Sequence, residues 1–357
     1  MLNILIMAGG KGERFWPQSR ARHPKQLLNL TGNGALIRET VRRVAAVAAP
    51  ENIYIITGAL YADPIRREVP EIPEVNLIIE PEGRNTAPCI GLAALAIGKK
   101  DPDGVMAVLA SDHIIKDESG FCRLLEQGAA IAEKSGNVVT LGIKPDRLET
   151  GYGYIKIGTQ MTGLTNVYQV DRFTEKPDLE TAREFLKTGN YLWNSGMFIW
   201  KIATIRRLIA EFMPQLHQGL EVIGQVWGTV AGEAILRREF AKFEKISIDY
   251  GIMERAPRVA VLPADIGWDD VGSWTALERI RTRDSRGNII AKPNTALVDV
   301  EDCIIETDGE KLIAAVGIRD LIYVETADAV LILPKDRAQD IKLILEKLRS
   351  EKKEKYL

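Results

Sequence analysis

The chain holds 357 residues, with 47 basic against 49 acidic side chains and 46% apolar residues. That length allows one large domain and a smaller one, and the near-cancelled charge leaves no global field to draw in nucleic acid or an acidic membrane. Cys89, Cys122 and Cys303 form neither a disulfide framework nor a zinc pattern, which suits a reducing compartment, and His23, His113 and His217 lack metal-ligand spacing. There is no charged leader and no apolar run of about 18 residues that could span a membrane, so a cytoplasmic protein is the expectation.

The N-terminal stretch organises the rest. Ile4-Leu5-Ile6-Met7 reads as a buried strand, broken at once by Ala8-Gly9-Gly10-Lys11-Gly12 and followed by Arg14, Arg20, Arg22 and Lys25. Glycines after a strand let the backbone turn and approach a ligand, and consecutive amides in such a turn form an anion site. Lys11 is followed by Gly12 rather than Ser or Thr, which excludes a Walker A loop, and Phe15 stands where a dinucleotide fingerprint needs its third glycine. The string Gly9-Gly10-Lys11-Gly12-Glu13-Arg14-Phe15-Trp16-Pro17, then Ser19-Arg20, then Pro24-Lys25-Gln26, resembles the signature of the sugar-1-phosphate nucleotidylyltransferases. Its Phe-Trp-Pro form is similar to the mannose-1-phosphate guanylyltransferase branch.

A helix is expected over Ala35–Ala49, then strands over Asn52–Thr57 and Val75–Ile79. Such alternation predicts an α/β fold with a mostly parallel sheet flanked by helices, a Rossmann-like arrangement with ligands at the carboxyl ends of the strands. Glu80-Pro81-Glu82-Gly83-Arg84-Asn85-Thr86-Ala87-Pro88 follows the third strand. Asn85 or Thr86 suits the cap of a helix over Pro88–Ile97, and an Asn side chain at a strand end also suits a nucleobase edge. The resemblance favours guanine recognition by Asn85, Thr86 and Ala87, and nucleotide binding by Ala8, Gly9, Gly10, Gly12, Arg14, Lys25 and Ser111.

Strand Val105–Leu109 delivers Ser111-Asp112-His113. A carboxylate held just past a buried strand suits a magnesium ion, and equally a helix N-cap. The resemblance makes Asp112 a metal ligand, and His113 reads as structural. Helix Phe121–Lys134 and strand Val138–Ile143 continue the pattern, and Thr150-Gly151-Tyr152-Gly153-Tyr154 is either a hairpin corner or a sugar platform, the resemblance favouring Tyr152 and Gly153 as the latter.

Strand Val170–Phe173 ends in Thr174-Glu175-Lys176-Pro177. Neighbours in a strand point to opposite faces unless the strand kinks. By resemblance Glu175 accepts from sugar hydroxyls, Lys176 holds the sugar phosphate, and Asn194, before a strand over Met197–Trp200, bonds a sugar hydroxyl. Helices are expected over Ile202–Met213 and Gly219–Phe240; Ser247–Glu254 resembles a family segment but suggests no chemistry. After strand Val259–Leu262, Trp268-Asp269-Asp270-Val271-Gly272 is similar to the family's second metal motif, which selects Asp270 and leaves Asp269 a neighbour. Ser273 is expected to cap a helix over Trp274–Thr282.

From Ile289 to Leu333 short β-rich pieces recur every 8–12 residues or so, a small all-β unit; the family implies a β-helix-like fold that contributes to homodimer contacts. Helix Ala338–Lys347 and a solvated Lys-rich tail close the chain. The domains expected are a catalytic unit over 1–283, a β-helix-like unit over 284–335 and a terminal helix and tail over 336–357.

The resemblance thus implies transfer of GMP from GTP to mannose 1-phosphate, giving GDP-mannose and pyrophosphate, with Mg²⁺ held by Asp112 and Asp270. The catalytic set is Arg14, Lys25, Lys176, Asp112 and Asp270. Glucose 1-phosphate with UTP or dTTP is the rival pair, and a non-catalytic sugar-nucleotide-binding relative the rival class.

Overall fold

The computed structural model describes residues 1–292 and 294–357. Nine apolar segments form one sheet: β1 (Leu2–Met7), β2 (Ile53–Gly58), β3 (Leu77–Glu80), β4 (Val105–Ala110), β5 (Val138–Ile143), β6 (Tyr154–Gln160), β7 (Tyr168–Thr174), β8 (Tyr191–Lys201) and β9 (Val259–Ala264). Their order is β3-β2-β1-β4-β8-β5-β9-β7-β6. The first four are parallel to their neighbours; β8 then enters antiparallel to both β4 and β5. The sheet is therefore mixed, its parallel half carrying the first three motifs.

The chain lays β2 and β3 to one side of β1 and β4 to the other. A reversal of this kind opens a crevice at the strand ends, where ligands bind in open α/β sheets. Met7 is in register with Ala110, so the glycine loop and Ser111-Asp112 leave the sheet side by side. Two apolar cores cover the faces of the sheet, one around Ile4, Ile6 and Ile55, the other around Leu5, Ile56 and the helix Thr86–Lys100.

Several boundaries differ from the sequence reading. The helix expected over Gly219–Phe240 is two, Pro214–Val226 and Gly232–Phe240, because the chain turns at Gly228 with φ of 80°. The strand over Met197–Trp200 begins at Tyr191, so Asn194 lies within the sheet. After Ser273 only a turn, Trp274–Ala276, and a short helix, Leu277–Ile280, form. Ser273 makes no side-chain cap; its hydroxyl meets Thr275 Oγ1 at 2.9 Å.

In the β unit, Ile289–Ile290, Ile304–Thr307 and Leu321–Glu325 stack in parallel, and Val330–Pro334 closes the stack antiparallel. Ile289, Ile304 and Ile322 form its inward ladder, and they pack in one core with Phe15, Trp16 and Trp274. The terminal helix, Ile341–Ser350, adds Ile341 and Leu345 to that core. The charged part of the tail is exposed as expected, but the helix before it and its last two residues are docked. Arg349 Nη2 reaches Glu13 Oε1 at 2.6 Å, and Trp16 Nε1 donates to Tyr356 O at 2.7 Å. Tyr356 and Leu357 anchor the tail to the turn that follows the glycine loop, a contact no local pattern discloses.

Candidate functional site

Two cavities open at the carboxyl ends of the parallel strands. The first, about 700 Å³, is lined by Gly12, Arg14, Lys25, Asp112, His113 and Asp270 among others. The second, about 250 Å³, is lined by Thr86, Tyr152, Gly153, Glu175, Lys176 and Asn194 and again by His113 and Asp270. The two shared residues mark where they meet. A third cavity of about 810 Å³, between residues 18–32 and the β unit, contains none of the expected residues and lies apart from this chemistry.

The glycine loop has the geometry the sequence requires at two positions. Gly10 has φ of 96° and Gly12 of 63°, values a side chain disfavours. A Cβ on Gly12 would also collide with Lys25. The loop is pinned from behind, since Ala8 O accepts from Gln26 Nε2 at 2.9 Å and Thr57 Oγ1 at 2.8 Å. Ser19 Oγ donates to Gly12 O at 2.6 Å, and Phe15 packs edge-on against Trp274 with centroids 5.0 Å apart. Gln26 was missed by the sequence reading as a support, although its place beside Lys25 was within the quoted motif.

Lys25 is 7% exposed. Its Nζ donates to Asp112 Oδ2 at 2.8 Å and to Asp270 O at 2.7 Å, so two of its three donors join the β4 end to the Trp268–Gly272 loop. Burial works to raise the Asp112 pKa, but the Lys25 ammonium overcomes it and holds the carboxyl below its usual range. Burial pushes the His113 pKa down, and the neutral ring accepts from Trp268 Nε1 through Nδ1 at 3.1 Å.

The adjacent acids have separate tasks. Asp269 is buried, paired with Arg279 and accepting from Val271 N at 2.8 Å. Asp270 faces both cavities and accepts from the Tyr152 hydroxyl. Burial, then the Asp270 charge, raises the Tyr152 pKa, so the phenol stays a donor. Among the described residues no group of three or more His, Cys, Asp or Glu side chains is placed to hold a metal by itself. Two carboxylates on one cavity wall, with room for phosphate oxygens, fit a hard cation that keeps most ligands from substrate and water.

Beyond the end of β7 the backbone kinks, Lys176 taking φ of 43°, and this lets neighbouring side chains meet: Lys176 Nζ sits 2.7 Å from Glu175 Oε1. Burial opposes the Lys176 charge, but Glu175 more than offsets it and raises the pKa. Glu175 Oε2 is buried without a partner, beside Gly153 and Asn194. Asn194 Nδ2 donates to Asp249 Oδ1 at 2.9 Å. Asp249, from the segment Ser247–Glu254 that suggested no chemistry, lines the same cavity, and burial together with the Glu175 charge pushes its pKa to about 6. Two carboxylates here and one lysine leave hydrogen-bond capacity unfilled.

The sign of the Asp249 shift gives a prediction. A carboxyl with a raised folded pKa contributes stability below its unfolded pKa and loses it as pH rises through the folded value. Relative to the parent, Asp249→Asn should therefore gain stability as pH goes from about 4 to about 6. Thermal melts of both proteins across that range test it, and a pH-independent difference would refute the shift.

Of the residues expected to read the base, Asn85 is exposed, caps the helix Thr86–Lys100 by accepting from Thr86 N at 2.8 Å, and has φ of 66°. Thr86 Oγ1 accepts from Ile248 N at 2.8 Å. The amides of Ala87 and Ser111 are engaged by Ile246 O and Met7 O, while Gly9 and Gly10 are exposed. Glu80, missed in the sequence, ends β3 at 7% exposure; a Cβ on Gly9 would stand 3.9 Å from its Oε1. Burial raises its pKa to about 7. A carboxylate ending an apolar strand was the available signal.

A nucleotidyl transferase family model matches residues 3–286, and a MannoseP isomerase/GMP-like beta-helix domain model matches 293–348. The mannose-1-phosphate guanylyltransferase of Klebsiella pneumoniae is 37% identical, over 100% of this chain and 76% of that protein. A putative mannose-1-phosphate guanylyltransferase of Vibrio cholerae is 38% identical over 99% of this chain and 75% of its own length. A crystal structure named mannose-1-phosphate geranyltransferase, from Thermus thermophilus, superposes with a TM-score of 0.87 at 34% identity, over 98% of this chain and 99% of that one.

Proposed function

Because the chain belongs to the nucleotidyl transferase family, in company with mannose-1-phosphate guanylyltransferases similar along its whole length, we propose the following reaction. A phosphate oxygen of mannose 1-phosphate attacks the α-phosphorus of GTP. The bond from that phosphorus to the bridging oxygen breaks, and GDP-mannose and pyrophosphate result. The observation that carries this reading is the meeting of two cavities at His113 and Asp270, the first lined by Lys25 and the second by Lys176.

A phosphate monoester has a second pKa of about 6, so the attacking oxygen is already ionised at neutral pH and needs no general base. The obstacle is repulsion between two polyanions, which positioning and fixed positive charge relieve. The loop Gly9–Gly12, Arg14 and Lys25 hold the triphosphate. Lys176 turns from Glu175 to the sugar phosphate, freeing Glu175 with Asn194 and Asp249 for sugar hydroxyls. Tyr152 orients Asp270 and, with Gly153, floors the sugar pocket. Asp112 and Asp270 would hold Mg²⁺, which would supply further charge neutralisation on the phosphates.

A homodimer formed through the β unit would cover Val298, Leu312, Val316 and Ile332, each more than half exposed. No helix of the described residues is long and apolar enough to cross a membrane. A cytosolic site of action agrees with three buried, unbridged cysteines.

Glu80 reads the base on this proposal. Guanine presents two N–H donors side by side, and a carboxylate accepts both. A glutamine offers one acceptor and one donor, the pattern that suits uracil or thymine. Glu80→Gln should lower kcat/KM for GTP about a hundredfold and narrow the preference over UTP and dTTP. Pyrophosphate release with each nucleotide, using mannose 1-phosphate and glucose 1-phosphate, tests activity and specificity together. Failure of the parent protein to favour GTP with mannose 1-phosphate would overturn the assignment.

A further inference from the structure

The cavity that holds Lys25 is not built by the catalytic unit alone. Its wall includes Gln339 and Lys342, from the turn and helix that follow the β unit. Ile341, next to Lys342, is fully buried in the core formed with Phe15, Trp16 and Trp274. The position of Lys342 is thus fixed by packing, while its side chain is exposed to the cavity.

The cations of this region differ in their partners. On the same helix Arg349 pairs with Glu13 at 2.6 Å and Lys347 approaches Glu351 at 4.0 Å. Lys342 has no ion pair among the described residues, and neither do the other two exposed cations on the cavity wall, Lys11 and Arg14. Glu13 would be the obvious counter-charge, but Arg349 occupies it. Lys25 likewise occupies Asp112, so among the described residues three cations without ion pairs face one carboxylate without one, Asp270, and a net positive charge is left directed at a single volume.

We infer that Lys342 binds the pyrophosphate moiety of the substrate, as part of the nucleotide and as leaving group, making the helix after the β unit part of the active site. This rests on the proposed reaction only for the name of the anion. In geometry it needs only that a polyphosphate enters the cavity lined by Gly12, Arg14 and Lys25. The sugar cavity does not include Lys342, so its influence is confined to the phosphate end.

Titration calorimetry of the full chain with magnesium pyrophosphate tests this directly. Lys342→Ala should weaken binding about tenfold, the scale of one charged hydrogen bond, and Lys342→Arg should restore most of it. Lys347→Ala, which removes the same charge from the same helix, should leave affinity unchanged. In kinetics, Lys342→Ala should raise KM for GTP and leave KM for mannose 1-phosphate alone. Equal pyrophosphate affinity in Lys342→Ala and parent would overturn the inference, as would an equal loss in Lys347→Ala, which would reveal only a general field. A parent that binds no pyrophosphate would overturn it too. A parent that binds pyrophosphate, with the loss confined to Lys342→Ala, but makes no GDP-mannose would instead overturn the proposed reaction and leave this inference standing.

Discussion

Lys25→Ala is expected to lower kcat about a thousandfold, the upper end for removing one preorganised group that meets developing charge. The change also reaches the fold. Lys25 bonds Asp112 Oδ2 and Asp270 O, so the variant leaves a partly buried carboxylate without its cation and two loops without their tie. A loss of about 1–3 kcal/mol follows from the unmet hydrogen bonds to protein partners alone. The pH dependence identifies the cause. Lys25 holds the folded Asp112 pKa down, and stability from a depressed carboxyl is present above its unfolded pKa and lost as pH falls through the folded one. The difference between parent and variant should therefore be full above about pH 4 and shrink below it. Turnover at pH 7 and melts at pH 7 and below 4 provide both readings; a variant with near-parent turnover would remove Lys25 from the chemistry.

Asp270→Asn is expected to shift the magnesium midpoint of activity upward at least about tenfold and to cut kcat about a hundredfold. The fold should survive, because an amide oxygen still accepts from Tyr152 and the backbone carbonyl still accepts from Lys25. Asp269→Asn is the matched control. It weakens the pair with Arg279 and the bond from Val271 N, so it should lower the melting temperature while leaving the magnesium midpoint of the folded fraction in place. An unchanged magnesium titration in Asp270→Asn would exclude Asp270 as a metal ligand.

What the sequence disclosed follows a physical division. Buried strands announce themselves by apolar runs, so β1, β4 and β5 were found within two residues of their ends, and the motifs at those ends came with them. The different surroundings of Asp269 and Asp270 were not legible in the local string, because their partners, Arg279 and Tyr152, come from other parts of the chain. Asp249 and Glu80 were passed over because an acidic residue in a string looks solvated. What marks these two is burial beside another group, a property of the packed chain. The break at Gly228 was hidden for a related reason: a glycine inside a helical pattern is tolerated, and only the φ value shows that this one turns the chain.

The bond from Trp16 to Tyr356 has a bearing on synthesis. It joins residues 340 positions apart, while β1 needs only β2 and β4 on either side. A ribosome-bound chain that has reached about residue 200 can already close the central strands, yet Phe15 and Trp16 still lack their cover. The glycine loop and the turn after it, made early, are thus locked only when far later segments arrive. Contacts of such sequence separation slow folding, so the aromatic pair stays uncovered until Trp274 and the β unit have been made.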